Sequence, residues 1–365
     1  MMRRDCCALF GVLALLATAA PVRADYLDPS AFASVGTLNL AAGNYTIDTN
    51  GAPTLRDSSN NILYTGTTYF QGGSFDPTIS VLTFDSITIA AGVNIRAVGS
   101  NPLALLSKSS VLLAGTLDAS GFAGHDSARF GGDGAGGAGG AGAGAGGNWA
   151  QAGQGPGGGP AGAFGIGVVQ AGGGGFGGKG GDSVFGTYGA PYGNLYQFLQ
   201  GGSGGGGTGG SFFDGGNGAG GGGGGGAIEL GALGSITFAN TGKLVTNGGG
   251  TGSAFAANAG AGSGGGLLIH APTIGLQFGS VVTAQGGAPF GGGGRILILT
   301  NDATVHNNGG FIDAGAGGGA NNQQPGVVEY GYLRAVPEPS TMVMSALGGL
   351  GLGIVALVRS RRRAS

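Results

Sequence analysis

The side chains that could do chemistry are few in this 365-residue chain. It has three histidines, His125, His270 and His306. None has a cysteine, a glutamate or a second histidine beside it at a metal-ligand spacing. His125-Asp126 stands next to Ser127, which are the residue types of a nucleophilic triad. A triad is assembled in space, however, and side chains adjacent in sequence diverge. His270 ends an apolar run and His306 precedes Asn307-Asn308, so both are expected at the surface. The only two cysteines, Cys6 and Cys7, sit at the extreme N-terminus. If that segment is removed, disulfides, cysteine-ligated zinc and cysteine catalysis go with it.

Carboxylates offer a second route to chemistry. Glycan cleavage needs acidic residues clustered on one face. Asp118 and Asp313 occupy equivalent places in a recurring phrase, with Thr246 and Thr283 between them. An isolated acid there reads as a turn cap that accepts from nearby backbone N–H groups. Residues 177–185, Gly-Gly-Lys-Gly-Gly-Asp-Ser-Val-Phe, fit one calcium-binding nonapeptide, but such sites need tandem copies and the flanking residues do not match. Gly178-Lys179 is followed by Gly180, so the phosphate-loop pattern fails. No catalytic, cofactor-binding or metal-ligating residue is therefore expected, and no cofactor.

The elements that would hold any site are set by composition. Glycine accounts for 92 residues, charged residues for 9% and hydrophobic residues for 41%, with a mean hydropathy of +0.23. Glycine costs roughly 1 kcal/mol per helical position, which excludes an ordinary helical protein. No Gly-X-Y period runs through the chain, which excludes collagen. Low charge argues against a solvated disordered chain. Between residues 25 and 335 there are eight Lys+Arg and fifteen Asp+Glu, so 8 − 15 = −7. No basic patch is present, and nucleic acid is not an expected partner.

The body repeats. Glycine runs precede Ala227-Ile228-Glu229-Leu230, Leu267-Leu268-Ile269-His270, Arg295-Ile296-Leu297-Ile298-Leu299 and Val327-Val328-Glu329-Tyr330. Short alternating pieces such as Ile87-Thr88-Ile89 and Val93-Asn94-Ile95 lie upstream. Repeated strands of three to five residues predict an all-β fold, a parallel β-helix or solenoid, in which stacking buries what one coil leaves open. Six coils are expected over residues 87–333, rising roughly 30 Å at about 4.8 Å each. A β-sandwich is the alternative. Residues 25–85 read as an N-terminal β cap, with Asn50-Gly51 as a turn signal. Residues 86–121 carry the first coils and 227–335 the remainder. Residues 122–226 form a glycine-rich excursion, flexible or packed as extended polyglycine-like chains; 48 glycines fall within 131–226. Residues 184–200 are aromatic enough to dock on the coils' own side. Removing 131–211 is expected to leave the coils folded.

Both ends read as addresses. Arg3-Arg4, an apolar run from Ala8 to Ala20 and a small residue before Asp25 predict a secretory signal peptide over 1–24, a signal helix cut between Ala24 and Asp25. At the other end stand Val336-Pro337-Glu338-Pro339, an apolar stretch over 341–358, and Arg359 with Arg361, Arg362 and Arg363. Eighteen helical residues span roughly 27 Å, enough to cross a bilayer core. The arginines would remain cytoplasmic.

The tripartite tail over 336–365 resembles the PEP-CTERM sorting signal of Gram-negative bacteria. The resemblance implies recognition by an exosortase, processing at the cell envelope and an association with exopolysaccharide and biofilm. The phrase Ala114-Gly115-Thr116-Leu117-Asp118-Ala119-Ser120-Gly121 also resembles the coil ends of glycine-rich bacterial surface proteins. Three functions stay open. One is an exported, non-enzymatic structural protein of the cell surface or extracellular matrix, membrane-anchored or released after processing. Another is a carbohydrate-binding or adhesive module that uses Tyr188, Tyr192 and Tyr196. The third is a polysaccharide-active enzyme.

Overall fold

The structure, a computed structural model, describes residues 26–72, 77–126, 134–163, 169–209, 218–254, 257–319 and 321–333. The expected signal peptide and the sorting tail, with Ala24, Asp25, Val336, Pro337, Glu338, Pro339, Arg359, Arg361, Arg362 and Arg363, lie outside these residues. The described chain is mostly β, in parallel sheets, and its one helical piece is the three-residue turn Pro29–Ala31. No helix of the described residues is long and apolar enough to cross a membrane.

Three sheets, A, B and C, are visited in turn, giving a β-helix-like course. The first circuit is β1 (Leu38–Asn39) in A, β2 (Gly43–Asp48) in B and β6 (Thr78–Phe84) in C. Between β2 and β6 run β3 (Thr54–Arg56), β4 (Ile62–Thr65) and β5 (Thr67–Phe70), which pair antiparallel and close that end. The second circuit is β7 (Ile87–Ile89), β8 (Val93–Val98) and β9 (Leu103–Ser107). The third is β10 (Val111–Leu113), β11 (Thr116–Asp118) and β13 (Ala227–Ala232), with β12 (Val169–Gln170) in the long insertion. The fourth is β14 (Ser235–Phe238), β15 (Lys243–Val245) and β18 (Gly266–His270), with the short β16 (Ser253–Ala254) and β17 (Ala257–Asn258) before β18. The fifth is β19 (Thr273–Leu276), β20 (Val281–Thr283) and β21 (Arg295–Thr300). The sixth is β22 (His306–Asn307), β23 (Phe311–Asp313) and β24 (Val327–Tyr332).

The described residues make six circuits, but only five of them fall in 87–333, where six were expected. The first begins at Leu38, inside the stretch read as a cap. There β1, β2 and β6 pair parallel with β7, β8 and β9, and only β3 to β5 cap them. The Asn50-Gly51 signal does mark the β2–β3 turn.

The inward side chains form one apolar column per sheet. Examples are Ile87, Val111 and Ile236 in A, Ile95, Leu117 and Leu244 in B, and Leu105, Leu230 and Ile269 in C. Sheets A and B alternate buried and exposed residues because their outer faces are wet. The inner strands of sheet C are buried on both faces, which explains their continuous apolar runs. Its outer face is covered by Leu27, Phe176, Leu195 and Leu199, with Tyr26, Phe32, Tyr192 and Tyr196 packed at the edges. Of the aromatic stretch 184–200, Tyr192, Leu195, Tyr196 and Leu199 thus dock on their own coils, whereas Val184, Phe185 and Tyr188 stay exposed.

Every long insertion leaves from the same corner, between sheets B and C. Residues 119–226, 246–265, 284–294 and 314–326 all emerge there from successive circuits. Their described parts meet and form a second body beside the strands, made largely of extended glycine segments.

Candidate functional site

The glycine body has its own architecture. Segment 218–226 is glycine except for Ala219. Going along it, Gly220, Gly221 and Gly222 donate their N–H groups to His125, Gly147 and Gly260, and Gly223, Gly224 and Gly225 repeat the rotation with Phe122, Gly144 and Ser263, all at 2.8–3.0 Å. The carbonyls of Gly221, Gly222 and Gly223 accept from Gly137, Gly205 and Gly249, and those of Gly224 and Gly225 accept from Gly140 and Gly202. The direction returns every third residue. That is the periodicity of a threefold extended helix, which has no internal hydrogen bonds and must find partners outside itself. Segment 218–226 therefore sits amid six neighbours: 119–125, 134–141, 143–148, 202–208, 246–252 and 258–265.

Glycine is required here by close approach. A Cβ on Gly221, Gly222 or Gly223 would lie 2.1, 2.1 or 2.0 Å from the carbonyl oxygen of Gly205, Gly249 or Ala138. The interior of this body is main chain with a few small side chains, Ala219, Ala259, Ala261, Ser203, Thr208 and Ser263. Its order comes from saturated N–H and C=O groups, with no apolar side-chain core of its own. Of the two expectations for the excursion, flexible or packed, the described part is packed.

The residues singled out in the sequence are placed as follows. Asp118 and Asp313 do share one column on the outer face of sheet B, three coil steps or roughly 14 Å apart. Val245, not Thr246, stands with Thr283 between them, because Leu244 takes the inward place and Thr246 is fully buried. Both acids cap turns. Asp118 accepts from the Ser120 N–H at 2.7 Å, and Asp313 from the Gly315 N–H at 2.9 Å. Asp118 also pairs with Arg96, whose guanidinium lies 4.5 Å from the Phe122 ring centre. Asp182, the acid of the nonapeptide, is engaged by Lys179 at 2.8 Å and by the Asn322 amide at 3.0 Å. These contacts hold its carboxyl below the usual carboxylate range, Lys179 contributing most.

His125 is threaded into the glycine body through its backbone, and Ser127 lies outside the described residues. Of the three tyrosines proposed to stack on sugars, only Tyr188 is exposed, and Lys179 sits 4.0 Å from its ring centre. Tyr192 packs on Phe176, donates to the Gly201 carbonyl at 2.7 Å and accepts from Ser203; burial pushes its phenol well up from its ordinary value. Tyr196 lies at the edge of the cover on sheet C, and burial raises its phenol too. Among the described residues, no three His, Cys, Asp or Glu side chains gather in a metal-binding group.

One site was not foreseen. His270 is buried at 1% exposure, against the expectation of a surface place, and Glu229 at 0%. His270 Nε2 and Glu229 Oε1 are 2.9 Å apart. The glutamate is 41 residues away in sequence but one coil away in space, since β13 pairs with β18. The imidazole lies over Gly231, where a Cβ would come within 2.2 Å of Nε2. Above the pair, the Tyr26 ring sits 4.7 Å from the His270 ring, and the Leu27 N–H donates to Glu229 Oε1 at 2.6 Å. The pair is therefore a buried polar clamp that fixes the start of the described chain onto sheet C. His306, by contrast, is exposed as expected. No protein-family profile, curated protein or solved structure matches this chain.

Proposed function

We propose that this is an exported, non-enzymatic structural protein of the cell surface or extracellular matrix, sorted at the envelope through its PEP-CTERM-like tail. The body is read as a parallel β-solenoid with a polyglycine bundle fused along one corner. The observation that carries this reading is segment 218–226, ringed by six glycine-rich neighbours drawn from different circuits. Such a body presents a weakly charged surface over an interior of main chain and a few small side chains. That suits a spacer or matrix component better than a site that must orient a substrate. The sugar-binding alternative has less support, because Tyr192 and Tyr196 turn toward sheet C.

The test is fractionation of a Gram-negative host that contains an exosortase, expressing the full chain or a chain lacking 337–365. The truncated protein is expected to be exported but released, and the full chain to be held at the envelope and trimmed near Pro337. Retention of the truncated protein in the membrane, or identical termini with and without the exosortase, would overturn the sorting reading. An exopolysaccharide partner would appear as co-fractionation that is lost on glycan digestion.

A further inference from the structure

A cleft of about 430 Å³ opens on the outer face of sheet B, at the end that β3 to β5 close. Thr46, Asp48 and Val98 line it from β2 and β8, and Arg56 lines it from β3, opposite Thr46. The β3–β4 turn adds Asp57 and Asn60. That turn is fixed from within. Asp57 accepts from the Ser59 and Asn61 N–H groups at 2.9 Å and from the Asn61 amide at 2.8 Å, and Arg56 donates to Asn60 Oδ1 at 3.3 Å. Asn60 is held in the left-handed region at φ 66°. The wall is therefore set before any ligand arrives. Asn50, from the β2–β3 turn, completes the lining. Asp48 Oδ1 accepts from the Asn50 N–H at 2.9 Å, and Asn50 Oδ1 from the Ser100 N–H at 3.0 Å. Among the described residues, Asp48 Oδ2, the Thr46 hydroxyl and the amide N–H groups of Asn50 and Asn60 keep no partner and face the cleft.

We propose that this cleft binds a segment of a neutral glycan. The proposal rests on the matrix reading and deepens it, by giving an exopolysaccharide a place to be held. The volume falls in the range of small-ligand sites, roughly 300–1,000 Å³. The lining is the reverse of their usual apolar one, for Val98 is the one apolar side chain among the described residues that form it. An apolar ligand would strip water from carboxylate, amide and guanidinium groups and return no hydrogen bonds. Charge narrows the class further. Arg56 opposes a cation, whereas Asp48 and Asp57 oppose phosphate, sulfate or uronate groups. A neutral polyol meets neither objection. Each sugar hydroxyl both donates and accepts, so neighbouring hydroxyls can donate to Asp48 Oδ2 and accept from the Asn50 and Asn60 amides. No aromatic ring among the described residues lines the cleft to stack on a sugar face. A single site therefore binds weakly, and retention comes from many copies along one polymer. The cleft is separate from Tyr188, Tyr192 and Tyr196, which belong to the long insertion between β11 and β13.

The test is a ligand-observed NMR titration of the full chain, in a detergent without a sugar headgroup. The probes are short oligosaccharides of glucose, mannose and galactose. At least one is expected to saturate with a Kd of about 1 mM or below. Asp48→Asn keeps the Oδ1 that caps Asn50 but removes the charge, and is expected to weaken binding at least about ten-fold. Thr46→Tyr fills the cleft from an outward strand position, leaving the buried Ile47 beside it untouched, and is expected to abolish binding. Melting within about 2 °C of the parent shows that a variant is folded. Failure of all three oligosaccharides to saturate at about 10 mM would overturn the proposal. So would unchanged binding in the folded variants, or a galacturonate oligosaccharide or spermidine that binds as tightly as the neutral sugars. Fractionation separates the two readings. A chain that binds sugar through the cleft but is not exported defeats the matrix reading alone, whereas an exported chain whose cleft variants bind like the parent defeats the proposal alone.

Discussion

Gly222 donates its backbone N–H to the carbonyl of Gly260 at 2.9 Å, although the two belong to insertions from different circuits. Contacts of this kind tie the corner insertions of the third and fourth circuits to one another. The fold thus has two bodies held by different physics. The strands are stabilised by apolar columns facing inward, and the glycine body mainly by main-chain hydrogen bonds between segments that approach too closely at their glycines for a Cβ. Glycine loses the most conformational freedom on folding, so the second body is stable only if nearly all of its hydrogen bonds form together.

That closeness gives a direct test. Gly222→Ala places a Cβ 2.1 Å from the Gly249 carbonyl oxygen. Backbone cannot yield there without breaking its own bonds, so the substitution is expected to cost roughly 2–3 kcal/mol, the scale of core overpacking. Gly318→Ala is the control, since it meets nothing within 4 Å and its φ is not positive. Denaturant melts should separate the two. Equal stability would mean that the segments are not packed at this spacing.

Removing 131–211 strips segment 218–226 of the neighbours at 134–141, 143–148 and 202–208. The strand pairs β9–β13 and β13–β18 remain available. The β-type circular dichroism is therefore expected to persist while the melting temperature falls by at least about 5 °C and amide protection at 220–225 disappears. An unchanged melt with protected amides would show that the remaining neighbours suffice.

Much of the strand order was legible because burial writes itself into alternation. Val93-Asn94-Ile95 turns two apolar residues inward and one polar residue out, and the continuous run Leu267-Leu268-Ile269 reflects a sheet covered on both faces. What covers it was not legible: Leu27 and Glu229 meet across 202 residues, and no local pattern joins them. His270 looked like a strand-end surface residue for the same reason. The packing of the glycine stretch had only a local signal. Ala135, Ala138 and Ala141 recur every third residue, which is the period of the extended helix, but the rest of the stretch is too uniform in glycine to show a phase. The Thr246 misplacement arose from aligning phrases by their polar residue, whereas the register follows the inward Leu244.

Asp182 gives the acid limb of stability. Its folded carboxyl titrates below the usual range because of Lys179 first and Asn322 second. A depressed acid contributes stability that is present above its unfolded value near 3.9 and is lost as pH falls through the lower folded value. The pair is near the surface, so its contribution should stay below about 1 kcal/mol. Asp182→Asn is expected to lower stability slightly at pH 7, and by progressively less as the pH falls below the usual carboxylate range. A penalty that persists undiminished at pH 2 would place the role of Asp182 in packing.

The clamp itself can be examined through Gly231. The His270 ring occupies the space where a Gly231 Cβ would sit, with Nε2 only 2.2 Å from it, so Gly231→Ala must displace the imidazole and break its contact with Glu229. His270→Ala alone leaves a cavity beneath Tyr26 and a buried carboxyl short of a partner, which is expected to cost about 3 kcal/mol or more. Gly231→Ala in the parent should cost about 2–3 kcal/mol through the same ring. With the ring absent, the added methyl has space, so Gly231→Ala on the His270→Ala background should cost under about 1 kcal/mol. The double-mutant cycle then yields a coupling of at least about 1 kcal/mol, characteristic of residues in contact. Additive losses would mean that Gly231 is constrained by something other than the imidazole, such as Leu106, whose Cδ2 lies 2.9 Å from the same Cβ position.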